Sequence, residues 1–450
     1  MLYPKLAIVL CSYKSKNLTE RAYNQLKNNK GVDVFVLENS PTIGESFLSA
    51  DTILMGHENV GYGGMHDYIF ADPKFREYDF VGIFNNDVYD IPPDFIDKIK
   101  PYFHSKIGMI SPVFNKEGSG WPHMKRLRGD GYREVGHVED MAAFLNTRLF
   151  PELTKYAPMQ FYGILDIQLS QLYKHHGYKT IVVDDVQIGH MLAGARKVAG
   201  VLDDYMANSS KEMDRWHKQF PLVGQLYEDY MAHISKKITV VVSSYGYNHL
   251  IRRAVESALS DKADVVVVDD GSAIEPTREL DGLPVRYFRH DKNRGLGSTR
   301  NTAIANTISP WILPLDSDDY LLPDAIDKLL QREEEADVFY GNLIYQHDDT
   351  KLVPTPEIKK KNFLVNNQLF GASLYRRKLW ERVGGYIEDP PETYEDWLFW
   401  GMCAAKGAKF QYVNIDVYKY NGDANGMCAR VSKERDKHAE LIRRKIQEAL

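Results

Sequence analysis

Cysteine is scarce in this chain: Cys11, Cys403 and Cys428 are the only three in 450 residues. No pair of them has zinc-site spacing and three cannot complete a disulfide set, so reduced thiols in a cytoplasmic compartment are expected. Long apolar runs are missing as well. The N-terminal stretch is apolar only from Leu6 to Cys11 and lacks a signal-peptide cleavage region. No run approaches the roughly 18 apolar residues of a membrane span, so contact with a bilayer is expected to be peripheral. Nor is there an excess of one charge: 56 Lys and Arg stand against 62 Asp and Glu, a net −6. That excludes a global pull toward nucleic acid or anionic lipid and leaves only local basic patches.

What is present is the composition of an ordinary globular protein, 44% hydrophobic and 26% charged, at a length that suits two or three domains better than one. The chain repeats itself. KLAIVLCSY (Lys5–Tyr13) and KITVVVSSY (Lys237–Tyr245) are short β-branched runs of the kind buried parallel strands use, and Ser12 and Ser244 lie 232 residues apart. VDVFVLENS and ADVVVVDDGS follow, with Glu38 set against Asp270 at the same offset. ENVGYGG and KNRGLGS place Asn59 and Asn293 234 apart. FVGIFNNDV and SPWILPLDSDDY place Asp87 and Asp318 231 apart, and GILDIQL and TYEDWLF place Asp166 and Asp396 230 apart. Five landmarks in one order at a nearly constant offset predict an internal duplication. Strands alternating with helical stretches such as His249–Ser260 predict parallel βαβ units. The expected division is a first domain over 1–200, a helical connector over 201–235, a second domain over 236–430 and a charged C-terminal helix over 431–450.

In open parallel α/β sheets, ligands sit beyond the carboxyl ends of the strands, where these polar residues converge. Asp269-Asp270-Gly271-Ser272 closes one strand, and a carboxylate there is a candidate acceptor for a base imide or ribose hydroxyl. Asp316-Ser317-Asp318-Asp319 closes another. Clustered carboxylates repel unless a cation joins them, and oxygen ligands favour Mg2+ or Mn2+. Arg300, at the start of a predicted helix, is a candidate phosphate contact. In Glu395-Asp396 a carboxylate is placed to take the proton of an attacking hydroxyl.

This ordered set resembles the large inverting glycosyltransferase family 2, which includes hyaluronan, chondroitin and cellulose synthases, over about residues 236–425. The residues that carry it are Ser244-Tyr245, Asp269 to Ser272, Asn293, Gly295, Arg300-Asn301, Asp316 to Asp319 and Glu395-Asp396. The resemblance implies a GT-A fold, that is, two tandem Rossmann-like α/β nucleotide-diphosphosugar transferase domains. It implies donor binding by Ser244, Tyr245, Asp270, Asn293, Arg300 and Asp316, a Mn2+ or Mg2+ ion at Asp318 and general base catalysis by Asp396. Many relatives carry a later His. Here Val417–Cys428 contains none, and Tyr418, Lys419 and Tyr420 are the candidates to replace it.

The first half resembles rhamnosyl- and galactofuranosyl-transferase-like members of the same family through ENSPT, ENVGYGG, Asn85-Asn86-Asp87 and Gly163–His190. This implies donor binding by Ser12, Tyr13, Glu38 and Asn59, metal ligation by Asp87 and His190, and Asp166 as base. Glu38 is read as replacing the usual Asp, and Leu165 replaces the Glu of the Glu-Asp pair. Plainer readings stand beside these. The Asp316–Asp319 cluster is also compatible with a capped turn, His175-His176 with a solvated helix end, and Trp397 and Trp400 with core. The basic segments Met124–Arg133 and Glu357–Asn362 are expected on solvated surface or against a phosphate-bearing acceptor.

Taken together, the sequence predicts transfer of sugars from nucleotide-diphosphosugar donors to a glycan or lipid-linked glycan hydroxyl, with two active domains suiting bifunctional polysaccharide synthesis. The rival readings are a transferase acting on hydroxylated pyrimidines of DNA and a non-catalytic glycan- or nucleotide-binding protein.

Overall fold

The computed structural model describes residues 4–449 except 41, 57–58, 126–129, 160–164, 192–201, 247, 332–335, 390–393 and 423–434. Cys428 and part of the first basic segment therefore lie outside the described residues. The chain divides into two compact units, Met1–Met231 and Ala232–Leu450.

The first unit contains β1 (Leu6–Ser12), β2 (Asp33–Glu38), β3 (Thr52–Leu54), β4 (Phe80–Asn85), β5 (Val88–Tyr89), β6 (Ile107–Phe114), β7 (Tyr132–Glu134), β8 (Ala142–Asn146) and β9 (Lys179–His190). The second contains β10 (Ile238–Ser244), β11 (Ala263–Asp269), β12 (Val285–Arg289), β13 (Trp311–Asp316), β14 (Tyr320–Leu321), β15 (Val338–Tyr345), β16 (Lys351–Leu352), β17 (Leu374–Arg376) and β18 (Phe410–Tyr420). The sheet order is β3-β2-β1-β4-β8-β6-β9-β5 in one and β12-β11-β10-β13-β17-β15-β18-β14 in the other. Strand senses agree as well. The β1–β4 and β10–β13 pairs are parallel, β4–β8 and β13–β17 antiparallel, β6–β9 and β15–β18 parallel. Two mixed α/β sheets of one topology are the tandem fold the sequence implied.

β1 and β10 are buried at every position, so both faces of each strand are covered, as their unbroken β-branched and apolar composition requires. The helix Lys16–Lys27 buries Thr19, Ala22 and Leu26; the helix Asn248–Ala258 buries Ile251, Ala254, Val255 and Ala258. Both are one-sided stripes at helical spacing.

Register corrects one expectation. Ser12 pairs with Glu38, whereas Ser244 pairs with Asp269. Asn39 N and Asp270 N then donate to the carbonyls of Ser12 and Ser244 in the same way. The counterpart of Glu38 is therefore Asp269, and Asp270 is matched by Asn39, an amide. Residues 202–235 are the described part of the segment expected as a helical connector. They form the helices Leu202–Gln219 and Pro221–Ile234, and Trp216 and Val223 join the first unit's core. The C-terminal helix Arg435–Ala449 packs on the helix Glu395–Ala405, burying Ala439, Ile442 and Ile446. Gly401 permits the contact, since a Cβ there would lie 2.2 Å from Ile446.

Candidate functional site

In the second unit the carboxyl ends of β10, β11 and β13 carry the residues singled out from sequence. Asp270 is buried and its carboxylate is occupied by the fold itself. One oxygen accepts from Arg294 N at 2.9 Å and is hydrogen-bonded to His290 Nδ1 at 2.6 Å; the other accepts from Gly295 N at 2.8 Å. Gly295 N also donates to Asn293 Oδ1 at 3.1 Å. These bonds fix the turn at Arg294-Gly295, where Gly295 has φ +89°, a conformation other residues resist. The backbone of Lys292 also passes so close to Gly271 that a Cβ there would lie 2.6 Å away. Asp270 thus shapes the loop that leads into the helix Leu296–Ala305.

Arg300 projects from that helix and is buried. Its Nη1 donates to Glu395 Oε1 at 2.6 Å and its Nη2 to Asp316 Oδ1 at 3.2 Å. Burial alone would lower its pKa, but Asp316 and Glu395 outweigh burial and hold it up. Burial pushes the Glu395 carboxyl up to about 8, against the pull of Arg300 and with Asp396 adding to the rise. Asp396 is half-buried; its Oδ2 accepts from Asn367 Nδ2 at 2.8 Å and its Oδ1 from Trp397 N at 2.7 Å. Its pKa is also raised, first by burial. Arg300, Asp316, Asp319, Glu395 and Asp396 line one cavity of about 250 Å3, together with Tyr418 and Tyr420.

The acidic turn after β13 is crowded. Asp319 is buried and held well above the usual carboxylate range by burial and then by Asp316 and Asp318. Asn421 meets this cluster: its N donates to Asp319 Oδ1 at 2.8 Å and its Nδ2 to Asp318 Oδ2 at 3.1 Å. Asn421 is thus a residue set against Asp318 that the sequence did not single out; Tyr418 and Tyr420 line the cavity nearby, and Lys419 pairs with Asp349. Among the described residues, the Ser243, Ser244 and Ser298 hydroxyls are buried with no hydrogen-bond partner. Tyr245 beside them is exposed.

The first unit keeps part of this arrangement. Ser12 Oγ donates to Glu38 Oε2 at 2.8 Å, and Glu38 also accepts from Phe47 N and Ser40 N. Asn59 Oδ1 accepts from Gly61 N and Asn39 Nδ2, a turn equivalent to Asn293–Gly295. Tyr13 is half-buried at the end of β1. Asp87 Oδ1 lies 3.2 Å from His190 Nε2, and His190 Nδ1 donates to the carbonyl of Gly118 at 2.7 Å. That bond fixes the ring so that Nε2 faces Asp87, the orientation of a metal-binding imidazole. Asp166 is buried and accepts from Ile167 N at 2.9 Å, as Asp396 does from Trp397 N. The charged set around Arg300 is absent. The shared turn places His66 at the Arg300 position, the β4 register places Asn85 at Asp316, and Leu165 stands for Glu395. His66 is buried, and burial brings its pKa down to about 4, so it is neutral.

Sequence reasoning missed Glu139. It is 7% exposed, burial pushes its carboxyl up to about 8 with Asp166 and Asp140 adding to the rise, and its Oε2 has no hydrogen-bond partner among the described residues. Counted along β8 and β17 from their pairings with Phe80 and Trp311, Glu139 and Asp140 stand where the second unit has Leu369 and Phe370, which line its cavity. Among the described residues, no three His, Cys, Asp or Glu converge as a ready metal cage. Trp397 and Trp400 are core, and His175 and His176 are exposed at a helix end. Arg133, expected at the surface, is buried against Asp184 at 2.7 Å.

A family model described as Glycosyl transferase family 2 matches residues 239–389. The chain is 32% identical over 197 residues to the succinoglycan biosynthesis protein ExoO of Rhizobium meliloti (strain 1021), covering 38% of this chain and 57% of that protein. It is 36% identical over 208 residues to the succinoglycan biosynthesis protein ExoU of the same organism, covering 40% and 60%. The chain thus spans less than two thirds of either relative. A crystal structure of S. aureus TarS 1-349 with UDP is 22% identical and overlays 42% of this chain and 61% of that one at a TM-score of 0.36. The matched range holds the Asn293–Gly295 turn and the cavity-lining Arg300 and Asp316 of the second unit, and ends before Glu395, Asp396 and β18.

Proposed function

We propose that the second unit transfers a sugar, with inversion, from a nucleotide-diphosphosugar to an acceptor hydroxyl. The observation that carries this reading is the single cavity gathering Arg300, Asp316, Glu395 and Asp396 at the carboxyl ends of the central strands. Asp396 takes the acceptor proton as the new C–O bond forms at the anomeric carbon. The bond from that carbon to the diphosphate breaks, and its electron pair leaves with the diphosphate. Ser243, Ser244 and Ser298 offer hydroxyls to the donor, Tyr245 a ring face to its base, and Asn293 and Asp270 hold the loop alongside. Arg300 keeps Asp316 and Glu395 in place through its two donors.

The crowded carboxylates after β13 fit a divalent cation, Mn2+ or Mg2+, with Asp318 as ligand and the donor's phosphates supplying further oxygens. Such an ion stabilises the leaving diphosphate when bound. In the first unit Asp87 and His190 present the equivalent pair. That unit retains Asp166 but has Asn39, His66, Asn85 and Leu165 in place of charged groups, which supports a donor different from the second unit's and hence a bifunctional chain. The same neutral replacements also favour a second reading, in which the first unit accommodates the acceptor. The acceptor proposed is a glycan or lipid-linked glycan met in the cytoplasm. Among the described residues no helix is long and apolar enough to cross a membrane.

The test is a screen of nucleotide sugars with Mn2+, reading nucleotide release from wild type, Asp166→Asn and Asp396→Asn. Two donors, each lost in a different variant, support the bifunctional reading. One donor, lost only in Asp396→Asn, supports an accommodating first unit. No release from any donor overturns transfer.

A further inference from the structure

The candidate cavity of the second unit does not end at Asp396. A second, more open groove of about 570 Å3 runs from it, sharing Leu352, Leu369 and Phe370 as a common wall. Its floor and rim come from the loop after β16 and from residues 362–370. Asn367 stands at the junction, with its Nδ2 on Asp396 Oδ2 at 2.8 Å. One side chain of the groove's wall therefore touches the group proposed as base.

The lining has a distinctive chemistry. Asn362, Asn366, Asn367 and Gln368 contribute side-chain amides, while Val353 and Val365, 58% and 66% exposed, contribute apolar surface. None of the described lining side chains carries a charge. A phosphate or carboxylate entering this groove meets no cationic side chain among its described lining residues, and the Arg443 guanidinium beside it already donates to the carbonyls of Leu364 and Val365. The amides bond in part to one another and to Asp396, and a purely hydrocarbon chain would leave their remaining hydrogen-bonding capacity unmet, at a cost. A neutral sugar chain suits both features. Its hydroxyls donate to and accept from amides, and its C–H faces lie on exposed valine.

We propose that this groove is the acceptor site and that it takes the neutral oligosaccharide portion of the acceptor, leading its terminal hydroxyl to Asp396. The inference rests on the transfer reading above for its role, and its binding test stands apart from that reading. Saturation-transfer NMR on the full chain would use maltohexaose, cellohexaose and laminarihexaose, with a uronic-acid hexasaccharide as the anionic comparator. The expected result is transfer to at least one neutral hexasaccharide and not to the anionic one. Val365→Asp, at an exposed position, and the double variant Asn366→Ala/Gln368→Ala should each weaken that binding about tenfold with an unchanged melting temperature. Asp396→Asn should retain it.

No transfer to any neutral hexasaccharide, preference for the anionic one, or binding unchanged in both groove variants would overturn the proposal. If donor is consumed but no neutral glycan binds, the groove assignment falls and the transfer reading survives. If a neutral glycan binds and no donor is ever consumed, the groove survives and the transfer reading falls.

Discussion

Arg300 donates to Glu395 across 2.6 Å inside the second unit, and at the equivalent positions of the first unit His66 and Leu165 are both neutral. Together with Asn85 in place of Asp316, one guanidinium and two carboxyl groups, one of them Glu395 with its pKa pushed up to about 8, have been exchanged for three uncharged side chains. A buried charge left without its partner is expensive, so such a set is expected to change together or not at all.

That coupling gives the first prediction. Glu395→Ala leaves Arg300 buried with Asp316 alone and should destabilise the second unit by roughly 3 kcal/mol. Arg300→Leu combined with Glu395→Leu should be milder than the sum of the single changes. Urea unfolding followed by a probe within the second unit measures both. Strict additivity would mean the pair is not energetically coupled.

Asn367 gives a second prediction. Its amide holds Asp396 Oδ2 at 2.8 Å, and Trp397 N holds the other oxygen at 2.7 Å. Asn367→Ala frees the carboxylate on one side and should lower kcat by about tenfold with little change in donor KM, because a loosely held base misses its geometry. A rise in KM alone would assign Asn367 to donor binding instead.

The metal proposal makes a third. Asn421 reaches Asp318 in the second unit as His190 reaches Asp87 in the first. Asp318→Asn should raise the Mn2+ concentration for half-maximal nucleotide release by about tenfold or more, and EDTA should abolish release reversibly. Release that is indifferent to EDTA would remove the ion from the reaction.

Much of this arrangement was legible in the sequence because buried parallel strands are nearly pure β-branched runs, and a duplicated chain repeats them at a fixed offset. What failed was finer. A constant offset of 232 sets Glu38 against Asp270, but strand register is decided by backbone pairing, and Ser12 sits opposite Glu38 while Ser244 sits opposite Asp269. Asn421 was invisible because an amide carries no signal of its own; only its bond to Asp318 gives it meaning. Arg133 read as surface because its partner Asp184 is far along the chain and meets it only through the β7–β9 pairing. Glu139 was passed over for a similar reason: nothing in HVED says that β8 will carry that carboxyl to Asp166.

Glu139 gives the last prediction, and its sign follows from linkage. Its folded-state pKa is about 8 against an ordinary 4.5, raised first by burial. The folded state therefore holds a proton that the unfolded state has released anywhere between those values. Stability from this group is fully present below about pH 4.5 and is lost as pH rises toward 8, by an amount that approaches roughly 5 kcal/mol. Glu139→Gln keeps the shape and removes the titration. Relative to wild type, the variant should gain stability steadily from pH 5 to pH 8, as read by urea unfolding of the first unit at fixed ionic strength. A difference between the two that stays flat over that range would show that Glu139 is ionised in the folded protein, and that a cation or donor group near Asp166 and Asp140 compensates it.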